Sequence, residues 1–177
     1  MVFIDESGLL LSPLVRRTLA PRGQTPRLVV RGHREKVSIL GALTLSPRRG
    51  RRGLYFQTLA KHSFHGGHVA RFLRQLLRHV HGRVLVVWDN WTGHKGPDVR
   101  RVLMDHPRLT IESLPPYAPQ LNPVEHLWSH LKWSALCNFA PANAAELNAA
   151  VVPKLTAAKS DKRLMFRFWK GARLKTN

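Results

Sequence analysis

The chain has little acid, almost no cysteine and no long apolar run. Ten Asp and Glu stand against 29 Lys and Arg in 177 residues, which gives a formal net charge of +19. A single cysteine, Cys137, excludes an internal disulfide framework and suits a reducing compartment. No apolar run approaches the roughly twenty residues needed to cross a bilayer, and MVFIDESG is unlike a secretory signal. We therefore expect a cytoplasmic protein with no membrane partner.

The large positive charge favours a polyanionic partner, and nucleic acid is the commonest one. The alternative is a basic surface that is simply solvated. One basic cluster is compact: PRRGRRG, residues 47–53, falls between two predicted strands. Its four arginines are candidate phosphate contacts, although a solvated hairpin tip is an equal alternative: Arg48, Arg49, Arg51 and Arg52.

The order of apolar patterns predicts an α/β domain. Period-two or continuous apolar runs indicate strands at residues 1–4, 37–45, 54–59, 83–88 and 109–114. Three- and four-residue spacing indicates helices at residues 65–81, 99–106, from 122 onward, 144–159 and 162–170. We expect one domain over residues 1–177, with a mixed sheet covered by helices and a helical carboxyl-terminal extension over about 137–177.

Two of the few acids directly follow apolar runs. Asp5 comes after VFI, and Asp89 comes after VLVVW. Open α/β sheets bind their ligands at the carboxyl ends of strands, and a buried carboxylate is costly unless it is paired, hydrogen-bonded or bound to a metal. Each acid alone could simply belong to a turn. Together with a third acid, Glu125, they suggest a bound cation.

Glu125 lies in LPPYAPQLNPVEHLWSHLK, residues 114–132, where a helix is predicted to begin. Asn122 suits the N-cap and Pro123 the first helical position, so Glu125 could complete a capping box. Glu125, Ser129 and Lys132 are spaced to share a face. Glu125 is therefore a candidate cap, metal ligand or both, and Lys132 a candidate phosphate contact; if Glu125 is only a cap, Glu6 is the next candidate ligand.

Three oxygen ligands without a Cys or His cluster favour Mg²⁺ or Mn²⁺ over zinc. Two such ions can activate a hydroxyl and stabilise the leaving oxygen of an in-line displacement at phosphorus. His94, five residues after Asp89, is a candidate contact to DNA or to a metal-bound water, and a plain loop histidine is the alternative.

FIDESG, VVWDNWTGHKG and LPPYAPQLNPVEHLWSHLK resemble the three signature blocks of DDE transposases. The likeness covers roughly residues 2–132 and is strongest to the bacterial insertion-sequence branch of the mariner superfamily. The spacing of 35 residues between Asp89 and Glu125 agrees with that branch. The resemblance implies an RNase H-like fold, catalysis by Asp5, Asp89 and Glu125, and Mg²⁺-dependent nicking and strand transfer of DNA, namely element ends and target.

Full members of that family carry an amino-terminal helix-turn-helix region, whereas this chain begins at the first catalytic strand. We expect this chain to be the catalytic half alone, associated with the nucleoid of a bacterium. Its expected partners are a second copy of itself in a homodimer or a separately encoded helix-turn-helix region. Two alternatives remain: a non-catalytic remnant that binds DNA or a full-length transposase, and a different RNase H-like nuclease.

Overall fold

The computed structural model describes residues 1–30, 35–46, 49–172 and 174. Its strands are β1 Val2–Leu10, β2 Lys36–Leu45, β3 Arg52–Ala60, β4 Val84–Trp88 and β5 Leu109–Ser113. Its α-helices are α1 Gly66–His79, α2 Pro97–Asp105, α3 Pro123–His130, α4 Ala144–Ser160 and α5 Lys162–Gly171. Within the described ranges, no helix has the length and apolar character that a bilayer crossing requires.

The five strands form one mixed sheet in the order β3-β2-β1-β4-β5. The first three strands pair antiparallel, and β4 and β5 run parallel to β1. The chain crosses from β3 to β4 through α1, and from β4 to β5 through α2. The mixed sheet covered by helices agrees with the α/β fold that the sequence predicts.

Helices cover both faces of the sheet, because side chains in a strand alternate between faces. Val2 and Ile4 of β1 pack with α1 and α2 in one apolar cluster. Phe3 packs on the other face with α3, α4 and α5. Residues of α4 and α5 thus share a core with the sheet.

β1 differs from its prediction. The strand was expected to end at Asp5, but it continues to Leu10 because β2 pairs with its whole length, with Asp5 opposite Gly41. The parallel pairing of β1 with β4 is limited to Val2 and Phe3. Asp5 therefore lies just past the end of the parallel pair, and the same register, continued, places it level with Asp89.

The predicted hairpin between β2 and β3 is confirmed by their antiparallel pairing. Ser46 closes the turn, since its N–H donates to Arg51 O at 2.9 Å and its carbonyl accepts from Gly50 N at 2.9 Å. Gly50 has φ +59°, a conformation that glycine adopts without strain. Pro47 and Arg48 lie outside the described residues.

Gly41 allows α3 to lie close against β2. A Cβ at this position would stand 2.7 Å from Trp128 Cη2 and 3.6 Å from Val124 Cγ1. Only a residue without a side chain fits there. By contrast, a Cβ on Gly8 of β1 would meet nothing within 4 Å.

We predict that Gly41→Ala lowers the free energy of unfolding by about 1–3 kcal/mol, the usual cost of overpacking a close contact. Gly8→Ala is the matched control. It should leave stability unchanged or raise it by roughly 0.5–1 kcal/mol, because alanine restricts the unfolded chain more than glycine does. Urea unfolding measures both variants. Equal stabilities of the two would mean that α3 does not press on Gly41.

Candidate active site

The three predicted acids line one hollow at the carboxyl ends of the parallel strands. Asp5, Asp89 and Glu125 face a space of about 390 Å³. The residues that complete its wall are the pair after Asp89 and the segment that leads to α3: Asn90, Trp91, Leu114, Pro115, Pro116, Tyr117, Ala118, Pro119 and Asn122. One hollow thus brings together acids from β1, from the end of β4 and from α3.

Asp5 is the buried member, with 9% of its surface exposed. Its Oδ2 accepts a hydrogen bond from Trp128 Nε1 at 2.8 Å. The pKa of Asp5 is raised to about 7: burial is the largest cause, the charges of Glu125 and Glu6 act in the same direction, and the Trp128 hydrogen bond opposes them. Trp128 holds this carboxylate in position, and among the described residues no cation forms an ion pair with it.

Asn122 ties the start of α3 to the sheet beside Asp5. Its Oδ1 accepts from Val124 N at 3.1 Å, and its Nδ2 donates to Ile4 O at 3.4 Å. The buried amide therefore joins the helix to the residue that precedes Asp5.

Glu125 is exposed in the first turn of α3, but it does not complete the capping box that the sequence suggests. In such a box its carboxylate would accept from Asn122 N–H, which instead donates to Pro119 O at 2.9 Å. The short 3₁₀ turn Pro119–Leu121 has taken over this part of the cap. The carboxylate of Glu125 is thus available to the hollow.

The lead-in to α3 is anchored at its beginning. Leu114 N donates to Trp88 O at 2.7 Å, and Asn90 Nδ2 donates to Leu114 O at 3.3 Å. Tyr117 then adopts φ +57°, unusual for a bulky residue, and its side chain is fully exposed at the rim of the hollow. Sequence reasoning missed Tyr117 as a site residue, because a PPY turn does not show which way its ring projects.

Asp89 is held by its own loop. Its Oδ1 accepts from Trp91 N at 3.0 Å and lies 3.2 Å from His94 Nδ1. The same ring nitrogen is 3.2 Å from Asp89 O, and His94 Nε2 is 3.0 Å from Glu6 Oε1. His94 therefore bridges Asp89 to β1.

The side chain of His94 is enclosed, and its contact with DNA or with a metal-bound water stays a prediction. Its side chain is 1% exposed and stacks flat on Trp88, with ring centroids 4.1 Å apart. Burial lowers its pKa, but the hydrogen bond and charge of Glu6, together with Asp89, raise it above the ordinary value overall. The histidine serves as a spacer between two carboxylates.

Among the described residues, the ligand atoms that lie close enough to share an ion belong to Glu6, Asp89 and His94, whereas Asp5, Asp89 and Glu125 line one hollow without forming such a close group. Atoms of Glu6, Asp89 and His94 all lie within 4.8 Å of one another. Asp5 and Glu6 are consecutive in β1, so they point to opposite faces of the sheet. The Glu6–His94 pair spans 88 residues, and the only signal for it in the sequence is that His94 closely follows Asp89.

The predicted phosphate contacts lie away from the hollow. Arg49, Arg51 and Arg52 belong to the β2–β3 hairpin, at the other end of the sheet. Lys132 lies in the π turn Leu131–Ala135 that follows α3, and it lines a separate space of about 210 Å³. Contact with DNA by these side chains stays a prediction, as it does for Arg48, outside the described residues.

The acids of the hollow suit a hard divalent cation. Carboxylate oxygens are the ligands that Mg²⁺ and Mn²⁺ prefer, and the three donors come from β1, from the loop after β4 and from the first turn of α3. A buried carboxylate that has acidic neighbours is strained by their mutual repulsion. A cation at this position would relieve that repulsion, so the donor set fits the predicted metal.

Comparison with known proteins agrees with this geometry. Residues 1–148 match the sequence model of the family described as DDE superfamily endonuclease. A protein of Shigella sonnei, described as the insertion element IS630 uncharacterized 39 kDa protein, is 28% identical over 134 residues, which are 72% of this chain and 36% of that protein. The chain thus spans about a third of the length of this curated relative.

Solved structures of Mos1 transposase share the fold. The Mos1 paired-end complex with the left transposon end matches with a TM-score of 0.68 and 19% identity, covering 97% of this chain and 51% of that one. The catalytic domain of Mos1 mariner transposase matches with a TM-score of 0.62 and 18% identity, covering 97% and 74%. The predicted RNase H-like fold is confirmed. Because the family model covers most of its length, the chain belongs to the DDE superfamily endonucleases.

Proposed function

We propose that the chain is the catalytic domain of an insertion-sequence transposase, which cuts DNA strands and joins them to a target. The observation that carries the proposal is the hollow that collects Asp5, Asp89 and Glu125 in a member of the DDE endonuclease family. These three carboxylates hold Mg²⁺ or Mn²⁺, two ions in our proposal.

The chain's own residues orient the three carboxylates. Trp128 fixes Asp5 by its indole N–H, His94 and the backbone of Trp91 fix Asp89, and the cap at Asn122 fixes the turn that carries Glu125. When bound, the ions activate the attacking hydroxyl and stabilise the leaving oxygen at phosphorus. Preorganised ligands favour such a displacement because they need no rearrangement during the reaction.

DNA is the proposed substrate and partner. The net charge of +19 supports a polyanion, and the structures of Mos1 named above include one with a transposon end. Element ends and target DNA are the two substrates that transposition requires. We also propose that the chain forms a homodimer or acts with a separately encoded helix-turn-helix region, and that it works at the bacterial nucleoid.

We predict that Glu125→Gln abolishes metal-dependent cleavage but leaves the free energy of unfolding within about 0.5 kcal/mol, because the cap does not use this side chain. A neutral amide is a much poorer ligand for a hard cation. Nicking of supercoiled plasmid in Mn²⁺ and urea unfolding measure the two effects.

Glu146→Gln is the matched control for Glu125→Gln. Glu146 occupies the same third position of α4 after the N-cap Asn143, and it is exposed and outside the hollow. It should keep full nicking activity. Retention of full nicking by Glu125→Gln as well would exclude Glu125 as a ligand.

We predict that Trp128→Phe weakens Mn²⁺ binding and nicking by about tenfold or more, because Asp5 loses its fixed hydrogen bond, whose net worth to a charged acceptor is about 1.5–3 kcal/mol. Trp169→Phe is the control: it removes the same volume from the core, and Trp169 Nε1 has no partner among the described residues. Both variants should lose stability, but only Trp128→Phe should lose metal affinity in calorimetry. An equal loss in the two would refute the orienting role.

We predict that Tyr117 stacks on a base or sugar at the site. Tyr117→Ala should weaken binding of single-stranded DNA in EDTA by roughly 5- to 100-fold, the range expected for one stacked base, while Tyr117→Phe keeps it. Fluorescence anisotropy measures the affinity. If Tyr117→Ala binds as tightly as the unaltered chain, the exposed ring plays no part in binding.

A further inference from the structure

A cleft of about 460 Å³ lies between the β2–β3 hairpin and the corner that joins α4 to α5. Its lining includes Arg49, Arg51 and Arg52 from the hairpin, and Lys159 and Lys162 from the corner. The described residues that line it include no acid. Five cations from two distant parts of the sequence thus meet at one place.

These five cations form no ion pair within the part of the chain that the structure describes. None of them lies within 4.0 Å of a carboxylate of a described residue. Asp161 stands between the two lysines in sequence, but its Oδ1 accepts the N–H groups of Arg163 and Leu164, both at 2.9 Å. Its carboxylate caps α5 and forms no ion pair with either lysine, and the five cations outnumber this one acid, so the cleft keeps a positive potential.

Aromatic rings hold two of the cations in place. The guanidinium of Arg52 lies 5.0 Å from the centroid of the Phe166 ring, and Lys159 Nζ lies 5.4 Å from that of Tyr55. A cation–π contact restrains a side chain without cancelling its charge. The two cations are therefore positioned in advance for an anion.

The basic surface continues along the edge strand β3. A second hollow of about 450 Å³ shares Lys159 with the cleft and adds Tyr55, Arg78 and His79. The rings of Tyr55 and His79 stack, with centroids 5.8 Å apart. Positively charged grooves that track the backbone of single-stranded nucleic acids combine cations with aromatic rings in this way.

The hairpin end of this groove is remote from the acids. The hairpin begins four residues beyond Gly41, the partner of Asp5, and β3 lies two strands away from β1. At about 3.3 Å per residue and 4.8 Å per strand, the hairpin end is roughly 15–20 Å from Asp5, and Tyr55, the partner of Ala42, is roughly 10 Å away across two strands. A phosphate at the hairpin end of the groove is therefore well removed from the one that reacts at Asp5.

We propose that the groove along β3, from the hairpin past Lys159 to Arg78, binds the phosphodiester backbone of DNA at a second contact, separate from the metal site. The inference rests on the proposed function, because it takes DNA to be the polyanion. The backbone comes either from the flank of the duplex that is cut or from a second duplex, such as the target.

The test compares two fourfold variants of the full chain in EDTA, where no cleavage occurs. The groove variant carries Arg49→Gln, Arg51→Gln, Lys159→Gln and Lys162→Gln, all at exposed positions. The control variant carries Arg71→Gln, Arg74→Gln, Arg100→Gln and Arg101→Gln, which are exposed on α1 and α2 and line neither hollow. Both variants lose four positive charges, so their net charge is equal.

Affinity for a labelled DNA duplex is measured against salt concentration. The slope of log affinity on log salt changes by about 0.9 for each phosphate contact. We expect the slope to become shallower by about 3 in the groove variant and by less than about 1 in the control. Equal slopes in the two variants would overturn the inference.

The stoichiometry of the complex separates the two sources of the backbone. If the unaltered protein and the groove variant each bind one duplex per chain, the groove binds a flank of the same DNA. If the unaltered protein binds two duplexes per chain and the groove variant binds one, the groove binds a second duplex. Nicking by the unaltered chain in Mn²⁺ is measured separately. If the unaltered chain nicks DNA but the two variants have equal salt slopes, only the groove proposal is refuted. If the unaltered chain neither nicks nor binds DNA, the proposed function is refuted.

Discussion

The hydrogen bond between the Trp128 indole and the Asp5 carboxylate is the contact on which the candidate site depends. It joins α3 to the middle of β1 at 2.8 Å, and it requires that the ring pass over a strand without a side chain at Gly41. The Asn122 amide makes a second tie, to the carbonyl of Ile4. Glu125 lies between these two tie points in the sequence. A helix docked in this way sets the positions of two carboxylates at once.

Electrostatics explains why so basic a chain keeps its acids together. The pKa of Asp5 is raised to about 7, mainly because its side chain is buried, and the nearby charges of Glu125 and Glu6 act in the same direction. Without a bound cation, the mutual repulsion of these carboxylates does not stabilise the folded protein. Asp89 takes part in two arrangements. It lines the hollow with Asp5 and Glu125, and it also contacts His94, whose other ring nitrogen contacts Glu6. The five unpaired cations of the cleft lie at the other end of the sheet.

Local patterns in the sequence predict much of the fold, but they do not predict most of the contacts within the candidate site. Mostly apolar or alternating runs are sufficient to predict β2 and β5, the continuous apolar run VLVVW is sufficient to predict β4, and Asn122 with Pro123 is sufficient to predict the start of α3. The end of β1 was missed because Asp-Glu-Ser-Gly reads as a turn, whereas long-range pairing with β2 keeps it extended. The capping box failed for a similar reason: the Asn122 N–H finds Pro119 O nearby. The enclosure of His94 depends on Glu6, 88 residues away, which no local spacing encodes.

The central claim is that Asp5, Asp89 and Glu125 share a divalent metal. The most direct measurement is a crystal structure of the full chain soaked in Mn²⁺, with the ion located by its anomalous scattering. The account predicts density in the hollow, within coordination distance of oxygens of all three carboxylates. Density bound instead by Glu6, Asp89 and His94, with Glu125 turned to solvent, would contradict it.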